Sequence, residues 1–295
     1  MKKIALIFLF LLCFLGSAAY YNKKCTPKYR NCVHLPVSFF PFKDQPLIKV
    51  KIENKTYSLH VDLGSSHPVD LQQKSLEKIF EKKLVGVFNY IGIKGKVYPV
   101  QAFELPTIHL TPFIAKGIIG YAENPDFHQD AQTWQANGVL DRCKNLLEKW
   151  SKDGRIGWTF FRKAVLFLDF PNASLFMAKD LSSLKQTGLS LDTFFQVPFE
   201  EKEKGLFLLA ETDRGSQKFF LDTGATTSIM KQERKGTNHY TTSLLKINNH
   251  NLGPWEFVAF EFGDHLECDG ILGIDFFKKH AICLDFHTHI AYIKK

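Results

Sequence analysis

Beyond Gly16 the chain has no apolar run approaching the ~20 residues that a membrane-spanning helix needs, so helical spans in the body of the protein are excluded. It also lacks any cluster in which basic residues interleave with aromatics, which argues against a nucleic-acid partner. The net charge of +8 comes from lysines spread along the chain, the pattern of a solvated basic surface. Cysteine is sparse, with six in 295 residues. Cys25 and Cys32 lie in a loop-like stretch, Cys268 and Cys283 bracket a glycine-rich turn, and Cys143 stands alone. Two disulfides with a spare thiol and free buried thiols are both compatible with that spacing, and the connectivity stays open. Cys13 follows Leu12 rather than a small residue, so lipid attachment there is not expected.

What is present begins with an export-type leader. Lys2-Lys3 supplies the positive start, Ile4 to Gly16 the short apolar segment, and Ser17-Ala18-Ala19 the small-residue cleavage site. Residues 1–19 therefore read as a signal peptide, and the mature chain is expected outside the cytoplasm, in a periplasm, cell envelope or medium. Residues 20–36 read as a basic N-terminal arm.

The most informative stretch is Phe219-Phe220-Leu221-Asp222-Thr223-Gly224-Ala225, where an apolar run delivers one carboxylate into a turn of small and hydroxyl residues. A buried aspartate is costly without partners. A second version lies 160 positions earlier, at Leu59-His60-Val61-Asp62-Leu63-Gly64-Ser65. Each follows a predicted hairpin: Ile48, Val50 and Ile52 alternate with polar residues before a turn at Asn54-Lys55, and Leu206 to Ala210 face Lys218 to Leu221. A further repeat follows each aspartate. Asp153-Gly154-Arg155-Ile156-Gly157-Trp158-Thr159-Phe160-Phe161 aligns without a gap to Asp269-Gly270-Ile271-Leu272-Gly273-Ile274-Asp275-Phe276-Phe277, and Leu168-Asp169-Phe170 to Leu284-Asp285-Phe286. Internal duplication sets the architecture: an all-β fold of two related halves.

With these motifs the chain resembles the aspartic proteases of the pepsin and retropepsin group. The resemblance covers roughly residues 37–295 and implies a two-lobed acid-protease-like fold. The lobes would be 37–180 and 196–295, with 181–195 as linker. It implies a catalytic pair, Asp62 and Asp222, supported by Gly64, Ser65, Thr223, Gly224 and Ala225. In that family Thr223 would hydrogen-bond across to the opposite loop. Leu63 departs from the pattern, because it has no hydroxyl to return that bond. The resemblance also implies a flap hairpin over the cleft, placed at Val87 to Tyr98 with Gly92 and Gly95 at its tip. Tyr90 or Tyr98 would be its aromatic.

Two carboxylates in hydrogen-bond reach cannot both ionise cheaply, so one keeps its proton. Such a pair can activate a water against an amide carbonyl without metal or cofactor. The expected activity is that of a monomeric aspartic endopeptidase acting on peptides or proteins. The alternatives are a catalytically silent relative that binds peptides in the same cleft, favoured by Leu63, and a structural envelope role. A rival constellation, His265-x-x-Cys268 with His280-x-x-Cys283, has zinc-ligand residue types. Against it, the repeat sets Ala164 and Phe167 opposite His280 and Cys283, so no metal site is expected.

The first half is also longer. Ninety-two residues separate Asp62 from Gly154, and 48 separate Asp222 from Gly270. Leu140, Cys143, Leu147 and Trp150 within that excess are spaced as a short amphipathic helical insertion.

Overall fold

The alternating and continuously apolar segments become strands arranged in three sheets, in a computed structural model that describes residues 31–40, 44–92, 94–123, 152–232 and 239–295. The leader and the helical insertion expected between 126 and 152 fall outside these residues, except Lys152. No helix among the described residues is long and apolar enough to cross a membrane.

One six-stranded sheet joins the halves. Its order is Cys32–Pro36, Ser174–Ala178, Val165–Asp169, Ile282–Asp285, Ile290–Lys294, Phe194–Pro198. The two strands carrying the Leu-Asp-Phe repeat lie side by side at its centre, antiparallel, with Leu166 opposite Leu284. That order is the same read from either end, as a duplication predicts. The counterpart of Phe194–Pro198 at the opposite edge is Cys32–Pro36, so the end of the segment read as an N-terminal arm is a sheet strand. Cys32, Val33 and Leu35 are buried there, which provides the apolar anchor.

Each half then builds its own sheet, one of ten strands and one of nine. In the first, Gly154–Gly157 lies between Lys55–Asp62, to which it is parallel, and Val69–Leu71, to which it is antiparallel. In the second, Gly270–Leu272 lies between Gly215–Leu221 and Ile229–Lys231 with the same polarities. Both hairpins ahead of the aspartates form. The first turn sits at Glu53-Asn54 rather than Asn54-Lys55, because Ile52 pairs with Lys55 and Glu53 takes a positive φ of 52°.

The repeated Phe-Phe segments form the short helices Trp158–Phe161 and Ile274–Lys279. Phe161, Phe276 and Phe277 are fully buried. Trp158 N–H donates to Ser65 O at 3.2 Å and Ile274 N–H to Ala225 O at 2.8 Å, so each glycine-rich segment holds the loop of its own aspartate in the same way. The segment read as linker contains the helix Leu181–Lys185, capped by Asp180, whose carboxylate accepts from Ser183 N–H at 2.7 Å.

Cys32, Cys268 and Cys283 are buried free thiols. Burial pushes the Cys32 thiol up to about 11 and that of Cys268 up to about 12. His280 Nδ1 donates to Lys294 O at 3.0 Å. Among the described residues no group of three or more histidine, cysteine or acidic side chains is placed to hold a metal.

Candidate active site

Asp62 ends the strand Lys55–Asp62 and Asp222 follows the strand Gly215–Leu221, so both carboxyls emerge where parallel strands finish. The fold brings them together: each carboxyl lies against the glycine of the opposite loop, close enough for the two charges to interact. This approach requires glycine in both loops. A Cβ at Gly224 would lie 2.6 Å from Asp62 Oδ1 and 2.9 Å from its Cγ, while one at Gly64 would fall on the Asp222 carboxyl.

Backbone donors hold each carboxyl in its own loop. Gly64 N–H donates to Asp62 Oδ1 at 3.0 Å. Gly224 and Ala225 N–H donate to Asp222 Oδ1 at 2.7 and 3.2 Å. The Thr223 hydroxyl reaches across the junction, donating to Val61 O at 2.6 Å and accepting from Leu63 N–H at 2.9 Å. Leu63 makes no matching side-chain bond and is fully buried in the core instead. The reverse connection is supplied by His60, whose Nε2 donates to Thr223 O at 3.3 Å. Since the carbonyl can only accept, His60 is the Nε2–H tautomer. Burial, with smaller contributions from Lys152 and Arg155, lowers His60 to about 4.

The two carboxyls have unlike surroundings. Asp62 is 6% exposed, while Asp222 keeps partial solvent contact within dense protein packing. Desolvation and the neighbouring Asp62 charge push Asp222 up to about 8, outweighing the Gly224 and Ala225 donors.

Beside Asp62 lies a buried polar group with no counterpart among the described residues of the second lobe. Arg155 Nη1 sits 3.3 Å from Asp62 Oδ2, and Nη2 sits 3.1 Å from Asp70 Oδ2. Burial alone would raise Asp70, but Arg155 and His67 outweigh it and hold this carboxyl low. Asp70 accepts from the Ser65 hydroxyl at 3.2 Å and from His67 Nδ1 at 2.7 Å. Ser65 thus acts through Asp70 rather than on the dyad directly. Arg155, His60, Asp70 and His67 are site residues that the sequence motifs do not single out, and for the first two the repeat carries a signal. Arg155 and His60 occupy repeat positions whose counterparts are apolar, Ile271 and Phe220 respectively.

The hairpin Lys83–Ile91 with Val97–Glu104 crosses above the pair, Tyr90 opposite Tyr98. Tyr90 is the residue directed at the site. Its ring lies 5.0 Å from that of His67. Burial raises its hydroxyl, which also feels Arg155, Asp70, Asp62 and Asp222. Tyr98 is buried on the hairpin, 4% exposed. The tip closes with Gly92 N–H to Lys96 O at 2.9 Å and Gly95 N–H to Gly92 O at 2.8 Å. Beyond it lies the second lobe: Gly95 abuts His265, and Lys94 Nζ is 5.9 Å from the Phe260 ring centre. No equivalent hairpin occurs among the described residues of the second lobe.

No protein-family model matches this chain, and no curated protein matches it in sequence. Among solved structures it is similar to basic 7S globulin from soybean. The TM-score is 0.57 at 8% identity, covering 90% of this chain and 95% of that one. The shared feature is the two-lobed, pepsin-like all-β fold. At so low an identity the likeness speaks for architecture alone.

Proposed function

We propose that the chain is a single-chain aspartic endopeptidase in which Asp62 and Asp222 activate water against a peptide bond. The observation that carries this reading is the closely apposed pair of carboxyls with unlike surroundings, in which burial and the Asp62 charge raise Asp222. Asp62 takes a proton from the water as its oxygen bonds to the carbonyl carbon, and Asp222 gives its proton to the carbonyl oxygen. The resulting diol collapses as the C–N bond breaks. The leaving nitrogen takes the proton held by Asp62, and a diol hydroxyl returns one to Asp222, which restores the starting state. Gly64, Gly224 and Ala225 position the carboxyls through their N–H groups, and Tyr90 with the Gly92–Gly95 tip covers them from water. The leader-like N-terminus supports export, with the mature chain acting as a monomer on peptide or protein substrates.

A second reading is a silent relative that binds peptides in the same cleft. Arg155 favours it, since the guanidinium occupies one oxygen of Asp62, and Leu63 removes half of the usual brace. Incubating the mature protein with a mixed peptide library from acidic to neutral pH, with and without a pepstatin-type inhibitor, separates the two. Inhibitor-sensitive cleavage supports the peptidase; binding without cleavage at any pH supports the silent relative.

A further inference from the structure

A dyad formed by duplication should be nearly symmetric, yet among the described residues only the first lobe sets a guanidinium against its aspartate. In the first lobe Arg155 pairs in register with Asp70, whereas in the second the corresponding pair is Ile271 with Ile229. A buried ion pair in place of two isoleucines is no economy for folding, because such pairs are often neutral or worse than well-packed apolar residues. The geometry of the group supplies another reason for its presence. One arm of the rigid fork meets Asp70, which Ser65 and His67 hold in place. The other arm is thereby aimed at Asp62 Oδ2.

We infer that Arg155 is a positioning residue that places the dyad's negative charge on Asp62 and leaves the shared proton on Asp222. This rests on the hydrolytic reading and adds to it the assignment of roles: Asp62 begins each cycle as base and Asp222 as acid.

The charged and titratable groups around the guanidinium are consistent with that role. Asp62 and His60 face it from the strand Lys55–Asp62, Asp70 and His67 from the next strand and its approach, Tyr90 from the hairpin, and Glu123 at 4.0 Å. Lys152 adds a second positive charge near His60. Burial opposes a charge on Arg155, but Asp70 and Asp62 outweigh it and the guanidinium stays cationic. His60 is neutral above about pH 4, so among the described residues it is Arg155 that sets a positive charge against the dyad over the neutral range.

The test compares wild type with Arg155→Lys and with the double variant Arg155→Ile/Asp70→Ile, which copies the second lobe and leaves no buried acid stranded. Two quantities are read across pH: kcat/KM on a peptide that wild type cleaves, and the carbon-13 shifts of the Asp62 and Asp222 carboxyls, assigned through Asn variants. In the double variant the lower-pH step of the dyad should move up by about one to three pH units, with the acid limb of kcat/KM following it. Arg155→Lys should restore part of the shift, since it returns the charge without the fork. Urea unfolding checks that each variant is folded. Either folded variant keeping the wild-type titration, or a double variant that loses stability without moving it, overturns the proposal. If wild type cleaves no peptide, the peptidase reading fails, and the carboxyl titration still decides the role of Arg155.

Discussion

His60 donates its Nε2–H to the Thr223 carbonyl at 3.3 Å, directly across the junction of the lobes. The bond answers the one made in the opposite direction by Thr223, so the junction is braced from both sides although Leu63 has no hydroxyl. This places a histidine lowered to about 4 within the core. An unfolded histidine titrates near 6.5, so between these values the unfolded chain binds the extra proton. His60's contribution is therefore complete above about pH 6.5 and is lost as pH falls towards 4, by roughly 3 kcal/mol. Urea unfolding against pH should show that slope in wild type, and His60→Phe, which copies Phe220, should flatten it.

Leu63→Thr restores the family's hydroxyl on paper, but the structure predicts harm. Leu63 is fully buried, and the smaller side chain leaves a void while burying a new hydroxyl. The expected cost is about 2 kcal/mol, read as a lower urea midpoint with no gain in turnover. A variant as stable as wild type and faster would refute the idea that His60 has taken over the brace.

Gly224→Ala drives a methyl against Asp62 Oδ1, 2.6 Å from the new Cβ. Relief requires the loops to separate, at about 1–3 kcal/mol. Both the urea midpoint and any peptide cleavage should fall, and the interaction between the two carboxyls should weaken. Unchanged carboxyl titration in this variant would mean that the loops are not in contact.

Asp222 gives a pH signature of opposite sign to that of His60. Its folded value, about 8, is far above the unfolded 3.8. The folded chain thus holds the extra proton between these values, and stability declines as pH rises through the window. Asp222→Asn keeps the hydrogen-bonding shape without the proton, so it should be less sensitive to pH from 4 to 8. Calorimetric melts of both proteins across that range make the comparison.

The duplication made the two-lobed all-β class legible, because hairpin, Asp-x-Gly and Gly-x-x-Gly-x-Phe-Phe recur in the same order in both halves. Periodicity placed the flap hairpin but left Tyr90 and Tyr98 equivalent, since both lie near its tip. Only packing against His67 and the carboxyls separates them. Local pattern also misjudged details set by tertiary pairing, such as the Glu53-Asn54 turn and the edge strand Cys32–Pro36. His60 and Arg155 were overlooked for a different reason. Aligning the repeats for identities reveals the dyad, whereas these residues stand out only when the repeats are compared for mismatches, with a polar side chain at a position its twin keeps apolar.

The central claim is that Asp62 and Asp222 work as one hydrolytic unit, and one measurement addresses it: peptide cleavage by wild type, Asp62→Asn and Asp222→Asn, folded and assayed side by side from pH 3 to pH 9, about the range spanned by carboxyl and histidine titrations. An amide can neither act as base nor share the proton, so each variant should lose cleavage entirely while unfolding in urea much as wild type does. Wild-type cleavage that persists undiminished in either folded variant would contradict the account.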